Sequence, residues 1–171
     1  SGGGSGTQVT RSAPSEGRGA TAVCSSDPDK RAACNAFSSA ENTWEKIFAQ
    51  SGERFRAPGL SFFNQNGRSG CGAAQSAMGP FYCPTDQRIY LDTSFFNELA
   101  NRFGAKGDFA QDYVIAHEFG HHIQNLLGTN RRAGNDTGPT SGSVRLELQA
   151  DCYAGVWANH ATTTPGPSGR P

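Results

Sequence analysis

One helix of about five turns constrains the fold more than any other feature of the chain. In "DFAQDYVIAHEFGHHIQNLLG" apolar residues recur every three or four positions, as they do along one face of an amphipathic helix. Asp108 and Gln111 have the spacing of a capping box, and Gly128 suits the position after the last turn. The helix carries three of the chain's four histidines. The fold must therefore accommodate a polar, titratable face on a long helix.

Two of these histidines have the spacing of metal ligands. His117 and His121 are one helical turn apart and lie on the same face. Two imidazoles in this arrangement can bind one ion, and Glu118 then projects beside the ion. From there its carboxylate can take a proton from a zinc-activated water. The pattern predicts a zinc site with Glu118 as general base, and a surface helix with scattered polar residues is the alternative.

A catalytic zinc site requires a third protein ligand. The longer pattern H-E-x-x-H-x-x-G-x-x-H is absent, because Gln124 and Leu127 occupy its Gly and last His positions. The segment "RLELQAD" instead offers Glu147 and Asp151 on one face of a predicted last helix, from Val144 to about Asn159. We predict Glu147 as the third ligand and Asp151 as the acceptor of a ring N–H from a zinc-bound histidine. Asp151 as a direct ligand stays open.

Three further residues have less specific roles. His122 is five residues after His117, so it turns away from the metal face. It is predicted to be structural or to support a ligand without touching the ion. His160 lies near the end of the last helix. There it can provide favourable charge at a helix C-terminus or stabilise a tetrahedral oxyanion. Cys152 is predicted to be a small buried residue on the back of the last helix.

The five cysteines indicate an oxidising environment. Their spacings favour disulfides Cys24–Cys34 and Cys71–Cys83, with Cys152 left over, and neither pair has the C-x-x-C spacing of a zinc ribbon. Disulfides are typical of proteins outside the cytoplasm. We therefore expect an extracytoplasmic protein, secreted or tethered by an N-terminal segment outside this chain. Five reduced, buried thiols are the alternative.

The remaining sequence predicts one α+β domain. Residues 1–20 have the Gly/Ser-rich composition of a linker or tail, residues 21–160 suit one folded domain, and residues 161–171 have the composition of a disordered tail. A helix is predicted from Pro28 to about Gly52, with Trp44 in the core, and short strands occupy "LSFF" and "CGAAQSAMGPFYCPTDQRIYLD". "DTSFFNELANRFGAKG" predicts another helix, and "TNRRAGNDTGPTSGS" a loop.

Charge and hydropathy give no support for a nucleic-acid partner or a membrane. The chain has 15 basic and 15 acidic residues and no basic block, so nothing favours nucleic acid or an anionic membrane. No apolar run is long enough to cross a bilayer.

Three stretches resemble the bacterial family named "putative neutral zinc metallopeptidase", within the zincin superfamily. They are "CGAAQSAMGPFYCPTDQRIYLDTSFFNEL", "GDFAQDYVIAHEFGHHIQNLLG" and "VRLELQADCYAGVWANH", and the resemblance runs from about Trp44 to His160. It implies a zincin-like α+β fold, in which a small antiparallel-rich sheet packs on an active-site helix and a following glutamate helix.

The resemblance also implies a function. As in gluzincins, His117, His121 and Glu147 would bind one zinc ion per chain, with Glu118 as base and a peptide or protein as substrate. In such folds an edge strand beside the cleft pairs with extended substrate backbone. "QRIYLD" is the predicted edge strand.

The predicted activity is that of a zinc-dependent endopeptidase. Family members continue well past the glutamate helix, whereas this chain enters "TTTPGPSGRP". This difference favours, as the first alternative, a zinc-binding but catalytically inactive interaction or regulatory domain. The second alternative is a disulfide-stapled secreted domain whose His/Glu cluster holds no metal.

Overall fold

Helices and short strands occupy separate parts of the chain, which confirms the α+β class. A computed structural model describes residues 10–12, 24, 28–75, 79–134, 138–139 and 141–163. Its helices are α1 (Pro28–Ser51), α2 (Thr93–Phe103), α3 (Ala105–Leu127), α4 (Thr129–Ala133) and α5 (Gly142–Thr163). Its strands are β1 (Thr10–Ser12), β2 (Gly59–Phe63), β3 (Asn66–Ser69), β4 (Gly72–Gln75), β5 (Phe81–Cys83) and β6 (Arg88–Asp92).

The main sheet has the strand order β1-β2-β6-β5. The pairs β1–β2 and β5–β6 are antiparallel, and β2–β6 is parallel. The predicted edge strand "QRIYLD" contains β6, which lies between β2 and β5, so that prediction was wrong. Its periodicity revealed a strand but not the strand's neighbours. Within the described residues, the strand at this edge of the sheet is β5, which pairs with β6.

Some predicted boundaries differ from the structure. β1 lies inside the segment predicted as a linker, and it is ordered by pairing with β2, which polar composition does not reveal. Helix α3 begins at Ala105, three residues before Asp108, and Gly104 at its N-cap makes no side-chain capping bond. Its C-terminal end matches the prediction, because Gly128 has the left-handed φ of 73° that follows a helix end. The predicted loop contains the short helix α4.

Aromatic side chains hold α1 against α3 and α5. Phe119 of α3 meets Phe37 of α1 edge-on, with ring centroids 5.5 Å apart. Trp44 of α1 meets Tyr153 of α5 at 5.1 Å, and it is buried as predicted. Such contacts combine a large buried area with favourable ring geometry. The core therefore fixes the two helices that carry the predicted site residues.

Two disulfides join neighbouring segments. Cys24 is bonded to Cys34 of α1, and Cys71, between β3 and β4, is bonded to Cys83 of β5. Cys152 is free but exposed, so its predicted burial was wrong. Ala150 and Ala154 lie on the buried face of α5. Cys152 is two positions from each of them, so its side chain points to the opposite side of the helix.

Removing the Cys71–Cys83 bridge is expected to destabilise the fold. Cys71→Ser combined with Cys83→Ala should lower the free energy of unfolding by about 3 kcal/mol. Without the bridge the unfolded chain is no longer closed into a short loop, so it gains conformational entropy. Urea unfolding of the oxidised protein measures the loss. Cys152→Ser is the matched control and should stay within about 0.5 kcal/mol. Equal urea midpoints for the double variant and the control would contradict a stabilising bridge.

None of the helices in the described part of the chain is long and apolar enough to cross a membrane.

Candidate metal centre

The structure brings His117, His121 and Glu147 together between α3 and α5. Glu147 Oε2 lies 3.0 Å from Nε2 of His117 and 3.3 Å from Nε2 of His121. One ligand atom from each residue lies within 4.8 Å of the other two. Spacing along α3 places the two imidazoles on one face, and the packing of α5 brings the carboxylate to them.

The outer ring nitrogens of both histidines have partners. Nδ1 of His117 lies 2.7 Å from Oδ1 of Asp151. A carboxylate oxygen only accepts, so Nδ1 carries a proton beside Asp151. Nε2 lies on the side of Glu147, where a neutral ring can offer its lone pair to an ion. Nδ1 of His121 lies 2.9 Å from Oε1 of Gln124. The i+3 spacing of Gln124 from His121 is the sequence signal for this contact, which the search for ligands along the sequence missed.

Glu118 is buried beside these residues. Only 8% of it is exposed. Burial, and to a smaller extent the negative charge of Glu147, raise the pKa of Glu118 to about 8, while a hydrogen bond from the backbone N–H of Tyr82 opposes the rise. Tyr82 belongs to β5, so the edge strand directly contacts the carboxylate predicted as the base.

A cleft of about 490 Å³ opens at this point. Glu118, His121 and Glu147 line its polar part, while Phe81 of β5 and Leu146 of α5 contribute apolar surface. The edge strand that flanks the cleft is therefore β5.

The chain matches the family described as "Putative neutral zinc metallopeptidase" over residues 2–166. The chain belongs to this family. It is 47% identical to "Uncharacterized protein YpfJ" of Escherichia coli (strain K12) over 125 residues, which are 70% of this chain and 44% of that protein. It is 52% identical to "Uncharacterized protein Rv2575" of Mycobacterium tuberculosis (strain ATCC 25618 / H37Rv) over 111 residues, 64% of this chain and 38% of that protein.

The chain thus spans less than half the length of these curated relatives. No solved structure matches it significantly. Membership confirms the family resemblance and agrees with a zincin-like α+β arrangement, in which the small sheet and the glutamate helix α5 pack on α3.

The residues present fit the zinc ion that the family description implies. Two imidazole nitrogens and one carboxylate oxygen form a donor set found in catalytic zinc sites. Both histidines also have an acceptor on the outer nitrogen, as zinc-binding histidines do.

His122 faces away from this centre. Its Nε2 lies 2.6 Å from the carbonyl oxygen of Arg56, so Nε2–H donates, and Nδ1 accepts from the hydroxyl of Tyr82 at 2.7 Å. Asn125 donates to the same hydroxyl. Burial lowers the pKa of His122 to about 4 and raises that of Tyr82 to about 12, so both are neutral near pH 7. His122 attaches β5 and the segment before β2 to α3, the structural role that the sequence predicts.

His160 is not brought to the cleft. It is exposed near the end of α5, thirteen residues after Glu147. At 1.5 Å per helical residue this separation is about 20 Å along the axis. The position suits the helix C-terminal alternative and not the stabilisation of an oxyanion beside Glu118.

Gly120 marks a close approach of α3 to α5. A Cβ atom at Gly120 would lie 3.0 Å from the carbonyl oxygen and 3.2 Å from the Cα of Ala150, and 3.2 Å from Cβ of Tyr153. These backbone neighbours cannot move without moving α5. Gly120→Ala is expected to cost about 1–3 kcal/mol of stability and to weaken zinc binding, because Glu147 lies on the displaced helix. Thermal unfolding and zinc titration measure both effects.

Gly155→Ala provides the matched control. Gly155 is exposed on α5, and a Cβ atom there meets nothing within 4 Å. The substitution should stabilise the chain by about 0.5–1 kcal/mol, since alanine favours a helix over glycine. If Gly120→Ala gave the same gain in stability and kept full zinc affinity, the close packing of α3 against α5 at Gly120 would not determine the position of Glu147.

Proposed function

We propose that this chain is a zinc-dependent endopeptidase domain that hydrolyses peptide bonds with Glu118 as general base. The observation that carries the proposal is the meeting of His117, His121 and Glu147 within 4.8 Å. Glu118 lies buried at the same cleft. Membership of a zinc metallopeptidase family supports the same reaction class.

His117, His121 and Glu147 would hold the ion. Asp151 would orient His117 by accepting its Nδ1–H. Zinc bound there supplies a Lewis acid that polarises a peptide carbonyl and lowers the pKa of a water.

Glu118 would move the proton. Its carboxylate takes a proton from the attacking water as the new C–O bond forms. It then gives that proton to the leaving amine nitrogen as the C–N bond breaks, so no proton is gained or lost overall. Burial from bulk solvent suits a group that holds a proton between the two steps.

An extended peptide would bind along β5. This strand forms the edge of the sheet within the described residues, and Phe81 and Tyr82 line the cleft. The backbone N–H of Tyr82 is bonded to Glu118, so an added strand would pair with the other outward-facing backbone groups of β5. The cleft also has apolar surface from Phe81 and Leu146 for substrate side chains.

The location and extent of the domain are part of the proposal. The two disulfides support a protein that works outside the cytoplasm, secreted or tethered. We place the domain at residues 21–160, extended by β1, which pairs with β2, and by the last turn of α5.

Metal removal tests the function directly. The purified, oxidised chain should bind about one zinc and cleave members of an internally quenched peptide library. A zinc chelator should abolish cleavage, added zinc should restore it, and the chelator's non-chelating isomer should have no effect. Zinc binding without cleavage would overturn the endopeptidase in favour of an inactive zinc-binding domain. Failure to bind zinc would overturn both in favour of a disulfide-stapled domain whose His/Glu cluster holds no metal.

A further inference from the structure

Gln124 is a buried amide with three hydrogen-bond partners. It is 1% exposed and follows His121 by three residues on α3. Its Oε1 lies 2.9 Å from Nδ1 of His121. Its Nε2 lies 2.8 Å from the carbonyl oxygen of Leu146 and 3.0 Å from Oε1 of Gln149, both on α5. One side chain thus connects a predicted ligand on α3 to the helix that carries Glu147.

The chemistry of these partners fixes the orientation of the amide. The carbonyl oxygen of Leu146 can only accept, so the NH₂ group of Gln124 must face it. The amide oxygen then faces His121 and can only accept, so Nδ1 of His121 carries its proton. In a neutral ring Nε2 of His121 then has the lone pair, on the side of Glu147, where it can bind an ion.

The position of Leu146 gives the contact its consequence. Leu146 directly precedes Glu147, so Gln124 holds the backbone beside the third predicted ligand. His117 is oriented from α5 directly, through Asp151. His121 is oriented from the same helix through Gln124, because α5 sets the direction of the amide.

We infer that Gln124 is a positioning residue that couples the tautomer of His121 to the docking of α5 and thereby strengthens metal binding. The inference rests on the proposed metal site but not on peptidase turnover. If the zinc-loaded chain cleaves nothing, metal affinity still tests it. If the chain binds no zinc, the effect on metal affinity falls with the proposed site, and the tautomer of His121 in the metal-free protein still tests the coupling to α5.

Gln124→Met removes all three hydrogen bonds at similar side-chain length. Zinc affinity should fall by about 10–100-fold, the usual effect of losing a partner of a ligand histidine. In the metal-free chain, at a pH where His121 is neutral, ¹⁵N NMR should show mainly the Nδ1–H form of His121 in the unaltered protein and a mixture of tautomers in the variant. Zinc affinity within twofold of the unaltered chain, or an unchanged tautomer, would overturn the inference.

Gln124→Glu separates the contact with His121 from the contact with Leu146. This variant also tests the inference if the Met variant does not fold. A carboxylate still accepts from Nδ1 of His121 but has no N–H for the carbonyl of Leu146. The Nδ1–H tautomer should persist, while amide hydrogen exchange in the first turns of α5 should become faster. Unchanged exchange in α5 would overturn the coupling.

Gln111→Met controls for the loss of a buried glutamine. Gln111 is also buried on α3, thirteen residues before Gln124 and so about 20 Å away along the helix axis. The substitution should affect stability but leave zinc affinity within twofold and the His121 tautomer unchanged. An equal loss of zinc affinity in both variants would mean that general destabilisation explains the effect and would overturn a positioning role.

Discussion

Glu118→Gln is expected to lower kcat for peptide hydrolysis by about 10³-fold while the chain still binds zinc. Glutamine has nearly the same shape but cannot take a proton from water at neutral pH. Glu118 is absent from the group of ligand atoms that meet within 4.8 Å, so its replacement leaves the donors in place. Metal analysis and kcat measured on the same preparation separate the two effects.

A second glutamate provides the control. Glu41 on α1 is half-buried, and burial raises its pKa too, but it does not line the cleft. Glu41→Gln should leave kcat unchanged. A Glu118→Gln variant that cleaves peptides at the native rate would exclude the general-base mechanism. Loss of zinc in that variant would instead show that Glu118 helps to hold the ion.

The sequence predicted those parts of the site that depend on helical spacing alone. His117 and His121 share a face because they are four residues apart in any α-helix. Glu147 and Asp151 share a face of α5 for the same reason, and the structure brings both to the predicted histidines. The end of α3 at Gly128 was also predictable, because a left-handed residue after the last turn is usually glycine.

Features set by distant neighbours could not be predicted in this way. Strand periodicity identified β6 but could not show that β5 would cover its other edge. The exposure of Cys152 depends on which face of α5 meets the core. Leu146 follows Gln124 by 22 residues, and their contact exists only because α5 packs against α3.

Glu147→Gln is expected to reduce zinc affinity more than Asp151→Asn does. Glu147 Oε2 lies close to Nε2 of both His117 and His121, whereas Asp151 contacts Nδ1 of His117, on the opposite side of that ring. An ion held by both Nε2 atoms is therefore within reach of Glu147 and not of Asp151. The Asp151 variant loses only the acceptor that orients His117, which typically costs about 10–100-fold in affinity.

Zinc titration of both variants, against Glu98→Gln, decides which carboxylate is the ligand. Glu98 is exposed on α2 and pairs with Arg102 at 3.2 Å, so its loss should not change zinc affinity. The reverse order, with Asp151→Asn the weaker binder, would make Asp151 the direct ligand. It would also require His117 to present Nδ1 to the ion, because the two ring nitrogens point in opposite directions. The tautomer of His117 in metal-free protein tests that requirement independently, and we expect the proton on Nδ1, beside Asp151.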